Sequence, residues 1–140
     1  MIGIVIVAHG GLAREYLAAI EHVVGRQAGI RAITIEAEDD RAAKKAEIMA
    51  AADAVDDGDG VIVVTDMFGG TPSNLSMPAC AVAGRKIVHG ANLPLLIKLA
   101  KSRAIPLPTA IERALAAGRK YIGARDVMPT EIAPPQARPA

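Results

Sequence analysis

The chain has 140 residues, 51% of them hydrophobic and 22% charged, with one Phe, two Tyr, no Trp and a single cysteine; sixteen basic and fifteen acidic side chains leave a net charge of +1. A chain of this size closes one core without disulfides or structural metal, and its apolar content excludes global disorder. Balanced charge removes the electrostatic basis for nucleic-acid or membrane-surface binding, scarce rings remove stacking platforms for single strands, and lone Cys80 excludes an internal disulfide.

Residues Ile2–Ala8 (IGIVIVA) form a β-branched run, the pattern of a strand buried on both faces. No apolar run approaches the ~20 residues of a membrane span, and the opening run lacks the basic leader of a signal sequence. A cytoplasmic protein without membrane insertion is expected. After Gly10-Gly11, apolar residues recur at helical spacing from Leu12 to Val24, with Gly25 as a stop. Arg31–Glu36 alternates as a second strand. Asp39 or Asp40 can cap the Ala-, Lys- and Glu-rich helix that runs to about Ala54. Val61–Thr65 (VIVVT) is a second fully apolar strand after the turn-forming VDDGDG.

The chain then passes through Asp66–Gly70 (DMFGG) to Thr71-Pro72, read as a cap followed by proline at the first helical position, with a helix to about Ala83. Lys86–His89 is a short strand. Leu93–Ser102 and Thr109–Gly118 read as helices with Pro94 and Pro108 at their starts. Tyr121–Met128 is expected as a last, antiparallel edge strand. The domain is drawn over 1–128 and the Pro-rich stretch 129–140 as a disordered tail.

Alternating strands and helices predict an α/β fold, a single doubly wound and mostly parallel sheet with helices on both faces. Ligands of such sheets collect beyond the carboxyl ends of the strands, at a switch point in strand order. Three polar segments fall there: Ala8–Gly11, Asp66–Asn74 and Gly90–Pro94. His9 leaves a buried strand immediately before two glycines and a helix start, which together suit a phosphoryl group or another anion. Asp66 ends the third strand; a carboxylate there can accept the N–H of one imidazole nitrogen and leave the other free to attack. That pairing requires the first and third strands to be neighbours. Gly10, Gly11, Gly69 and Gly70 are the candidate phosphoryl-binding turns, and Thr71 a hydroxyl donor. The segment is not a nucleotide loop, because GxxxxGK[ST] and GxGxxG are both missing. Phe68, in a loop beside this cluster, and Asn92 are candidates for partner docking. His22 and His89 have no metal-ligand spacing, Cys80 is a core residue, and Arg41, Lys44 and Lys45 are a solvated helical face. No metal and no cofactor are expected.

Three segments, VIVAHGGLA, VIVVTDMFGGTPSN and HGANLPLL, in this order and spacing, resemble the mannose-family IIA domain of the bacterial phosphoenolpyruvate-dependent phosphotransferase system (PTS) from about Ile2 to about Gly123. The resemblance implies that His9 accepts a phosphoryl group from the carrier protein HPr and passes it to a IIB component or serves a regulatory target. It implies that Asp66 bonds the active histidine and that Thr71 lies by the phosphoryl site. It also implies a homodimer, in which a carboxyl-terminal strand completes the neighbour's sheet.

Other chemistries remain open from the residues alone. A receiver-like signalling domain phosphorylated on Asp66 would want Mg²⁺ and acids after the first strand, where His9-Gly10-Gly11 stands. A histidine phosphatase would want a second histidine and converging arginines. An anion-binding module without phosphotransfer would need neither.

Overall fold

The computed structural model describes residues 1–133. In chain order the elements are β1 (Gly3–His9), α1 (Leu12–Val24), β2 (Ile30–Ile35), α2 (Arg41–Val55), β3 (Val61–Thr65), α3 (Thr71–Cys80), β4 (Arg85–Val88), α4 (Leu93–Lys101) and α5 (Leu107–Lys120). The four strands pair in the order β2-β1-β3-β4, every pair parallel.

The doubly buried character of β1 and β3 explains their uninterrupted apolar runs. Successive side chains of β1 go to opposite faces: Ile4, Ile6 and Ala8 join Ile62 and Val64 beneath α1, α4 and α5. Val5 and Val7 join Val61 and Val63 beneath α2 and α3. Each fully buried Val or Ile contributes roughly 1.5–3 kcal/mol, so the two central strands anchor both layers. Strand order reverses at β1, which has β2 on one side and β3 on the other. The carboxyl ends of β1 and β3 therefore border the crevice where doubly wound sheets place ligands.

Two expectations are corrected. Tyr121–Met128 forms no edge strand: Gly123, Arg125 and Asp126 interrupt the alternation, and the stretch runs exposed and irregular into a 3₁₀ turn at Pro129–Glu131. The disordered tail drawn from 129 thus begins with that turn, and 134–140 lie outside the described residues. Thr71 is not the cap of its helix. Gly70, extended at φ −81° and ψ 175°, is the N-cap, Thr71 opens α3 and Pro72 follows it. Of the two cap candidates for α2, Asp40 takes the role, accepting the Ala42 N–H at 3.2 Å.

Candidate functional site

His9 is the last residue of β1, and Asp66 immediately follows β3. Because β1 and β3 are paired with Val7 opposite Thr65, the two side chains meet at the sheet's carboxyl edge. Asp66 Oδ2 accepts twice from His9, from the backbone N–H at 3.0 Å and from ring Nδ1 at 2.7 Å. The second bond requires the proton on Nδ1 and leaves Nε2 with its lone pair. The His9 side chain is 48% exposed and that of Asp66 12%, so the acid is sheltered and the ring reaches solvent.

Burial alone would raise the Asp66 carboxyl. The bonds from the His9 backbone and ring, with the ring's charge, outweigh it and hold Asp66 below the ordinary carboxylate range. Its second oxygen, Oδ1, is buried and meets no hydrogen-bond donor among the described residues. The anion's compensation therefore comes chiefly from His9. Tyr16, whose hydroxyl donates to the Ala91 carbonyl at 3.1 Å, is shifted upward by burial and by the Asp66 charge.

Gly70 makes a close approach to the His9 ring. A Cβ at this position would lie 3.1 Å from His9 Cε1 and 3.6 Å from Nε2, so the start of α3 rests against the exposed edge of the imidazole. Gly10 turns the chain at φ +57°, a conformation L side chains rarely adopt. Its N–H donates to the Ile35 carbonyl at 2.8 Å and ties the turn to the end of β2. Gly11 is the N-cap of α1, and Gly69 has φ +80° in the loop before α3. The amides left without intrahelical acceptors are those of the first turn of α1 and of Thr71 and Ser73 in α3, Pro72 having none.

A cavity of about 430 Å³ opens beside the imidazole, lined among others by His9, Gly10, Glu36, Asp39, Arg41 and Thr71. A larger cleft of about 620 Å³ between α4 and α5, rimmed by Lys98, Lys101, Arg113 and Lys120, contains none of the expected site residues. Phe68 is 79% exposed, edge-on to His89 at 5.0 Å between ring centroids, and Met67 is exposed beside it. Asn92 is otherwise engaged than expected: it caps α4 through the Leu95 N–H at 3.0 Å and donates to the Gly118 carbonyl at 2.8 Å. His22 is exposed near the end of α1, and burial pushes the Cys80 thiol up to about 11, out of range for thiolate chemistry at neutral pH. Among the described residues no three His, Cys, Asp or Glu side chains group as a metal site, and no helix is long and apolar enough to cross a membrane.

The pocket wall after β2 was not read from the sequence. Glu36, Asp39 and Arg41 reach the site because β2 pairs with β1 in a register that sets Ile35 against His9. The legible signal was that β2, too, ends beside the switch point.

Residues 3–114 match the family model described as the PTS system fructose IIA component, EIIA-man. The chain belongs to the EIIA-man family. It is a IIA component of the sugar phosphotransferase system, a family whose work is phosphoryl transfer. Among solved structures, the mannose/sorbose-specific IIA subunit from Enterococcus faecalis is 25% identical with a TM-score of 0.80, covering 90% of this chain and 96% of that one. The phosphotransferase component EIIA from Streptococcus agalactiae is 25% identical with a TM-score of 0.79, over 89% of this chain and 97% of that one. The IIA protein associated with the fucose utilization operon of Streptococcus pneumoniae is 28% identical with a TM-score of 0.72, over 81% and 88%. No curated protein matches the chain.

Proposed function

We propose that this IIA component carries its phosphoryl group on His9 Nε2, taking it from HPr and giving it to a IIB component or presenting it to a regulatory target in the cytoplasm. The observation that carries the reading is the 2.7 Å bond from Asp66 to Nδ1, with Nε2 left open beside Gly70. The Nε2 lone pair forms the new N–P bond while the donor's N–P bond breaks and its electron pair returns to the donor histidine. The Nδ1 proton stays in its bond to Asp66. The ring becomes cationic as the phosphoryl group arrives, and the adjacent carboxylate stabilises it.

Asp66 touches the far nitrogen and so keeps its negative charge away from the incoming phosphoryl oxygens. The amino-terminal ends of α1 and α3 face the same edge of the sheet, each contributing roughly 0.3–1 kcal/mol toward an anion. Thr71, on the cavity wall, is placed to donate its hydroxyl. Exposed Phe68 and Met67 supply an apolar rim on which a carrier protein can dock. The receiver-like alternative is disfavoured because Asp66 Oδ2 already accepts two bonds and Oδ1 is buried.

Purified protein incubated with phosphoenolpyruvate, enzyme I and HPr should take up one phosphoryl group that is lost in acid and kept in base. A label that survives acid and is lost in base would be an acyl phosphate and would move the chemistry to a carboxylate.

A dimer is favoured by a separate observation. β4 is an edge strand, and Tyr121, Ile122, Val127, Met128 and Ile132 stand exposed beyond α5. Such an apolar segment can complete the sheet edge of a second copy. Light scattering should give twice the monomer mass, and deletion after Lys120 should return it to one; a monomer at micromolar concentration in the full chain would refute this.

A further inference from the structure

The cavity beside His9 has an electrostatic composition that the phosphocarrier reading leaves unexplained. Two carboxylates, Glu36 and Asp39, and one cation, Arg41, share its wall. Asp39 is partly answered: its Oδ2 accepts the Glu36 N–H at 2.7 Å and lies 3.7 Å from Lys44 Nζ. Lys44 also pairs with Glu47 at 2.9 Å, and neither residue lines the cavity. The exposed Arg41 has no acid within ion-pair distance among the described residues. A dianion arriving on Nε2 enters a space in which, among the described residues, Arg41 is the one side chain to set against the carboxylates of Glu36 and Asp39, and the Gly10 amide is already bonded to Ile35.

The position of Arg41 follows from the fold. Ile35 is held opposite His9 by the β1–β2 register, and five residues of loop lead from it to the start of α2. Asp40 caps that helix, which fixes Arg41 as its first residue at the cavity's edge. A planar guanidinium donates two parallel hydrogen bonds to phosphoryl oxygens, a geometry a lysine does not reproduce.

Resting on the assignment of the phosphoryl group to His9, we propose that Arg41 is a second catalytic side chain, whose guanidinium binds the phosphoryl oxygens as the group is transferred. Arg41 stands exposed on the first turn of α2, so its replacement leaves both cores untouched.

The test uses two donors, phospho-HPr and the small donor phosphoramidate, which has no protein surface. With phosphoramidate the Nε2 lone pair forms the N–P bond, the donor's P–N bond breaks, and the electron pair leaves with ammonia. Single-turnover labelling of the full chain is followed for wild type, Arg41→Gln, Arg41→Lys and the control His9→Ala. Arg41→Gln should slow labelling roughly ten- to hundredfold with both donors, the effect of losing a charge-assisted hydrogen bond, and Arg41→Lys should recover only part of it. Rates within twofold of wild type with both donors would overturn the proposal. So would a deficit confined to phospho-HPr, which would make Arg41 a contact for the carrier surface. If wild type and His9→Ala label alike, the His9 assignment fails first and the role of Arg41 falls with it; if His9→Ala alone is silent, Arg41 fails on its own.

Discussion

Two histidines stand at the carboxyl edge of the same sheet, and the end of β3 holds both. Thr65 and Asp66 are consecutive, yet Thr65 Oγ1 lies 2.9 Å from His89 Nδ1 beyond β4, while Asp66 Oδ2 lies 2.7 Å from His9 Nδ1 on β1. β3 lies between β1 and β4 in the sheet, so the residues at its carboxyl end reach the ends of both neighbours. The difference is the partner. A carboxylate fixes the tautomer of His9 and would stabilise positive charge in the proposed reaction at its free nitrogen; a neutral hydroxyl gives His89 orientation without charge stabilisation. His89 is moreover met edge-on by Phe68, whereas His9 rests against a glycine that leaves its Nε2 edge open. On the proposed function, what sets His9 apart from His89 is not its strand-end position but the charge behind one nitrogen and the space before the other.

The largest effect expected of any single change is at His9. His9→Ala should abolish labelling from phospho-HPr, while His89→Ala and His22→Ala should each label at a rate near that of wild type. Residual acid-labile label in His9→Ala would erase the contrast between the two rings.

Asp66→Asn comes next. The amide can still hold the ring, but it removes the negative charge that answers the cationic ring, and transfer should slow by roughly 10²–10⁴-fold with His9 still the labelled site. The same variant separates catalysis from stability. Asp66 is held below its ordinary carboxylate value in the fold, so its contribution to stability is complete above the unfolded-chain value of about 4 and is lost as pH falls through the lower folded value. The gap between the urea midpoints of wild type and Asp66→Asn should therefore narrow on acidification below about pH 4. A gap that widens would mean the carboxylate is not stabilised by its bonds to His9.

Gly70→Ala tests the space before the free nitrogen. The backbone of Gly70 suits alanine, but the new Cβ would press His9 Cε1 at 3.1 Å while Asp66 holds the opposite side of the ring. Transfer should fall roughly tenfold, a shift of about 1.4 kcal/mol in the barrier, while thermal stability holds or rises by up to about 1 kcal/mol because alanine restricts the unfolded chain. Equal rates for Gly70→Ala and wild type would show that the ring moves freely and that its packing is incidental.

The pairing of His9 with Asp66 was legible because β1 and β3 are buried on both faces, and runs such as IVIVA and VIVVT announce central, neighbouring strands. The cavity wall was not legible. Arg41 sits in a charged helix whose pattern is that of solvated surface, and only the register between β1 and β2 brings its first turn to His9. The cap of α3 was misplaced by one residue because Thr-Pro is a strong start signal, whereas the extended glycine before it takes that role. Asn92, expected as a docking residue, bonds Leu95 and Gly118 and so ties α4 to α5. Tyr121–Met128 reads as a strand from its apolar residues, but a strand needs a neighbour, and within one chain this segment pairs with none.

The smallest expected effect is on the other side of β3. Thr65→Val keeps the side-chain shape at a position with no exposed surface and removes the hydroxyl that meets His89. Losing one net hydrogen bond should destabilise the protein by about 0.5–1.5 kcal/mol, and the half-buried His89 can recover part of this by turning toward solvent. Labelling of His9 should be unchanged, because the Thr65 hydroxyl meets His89 and not Asp66 or His9, and the β1–β3 register is set by the backbone. Freed from its hydroxyl partner, the His89 ring should show shifted NMR resonances while those of the His9 ring stay in place. If the His9 resonances shift as well, the two rings are coupled through the end of β3, and the sharp division between a reactive and a structural histidine gives way to one shared network.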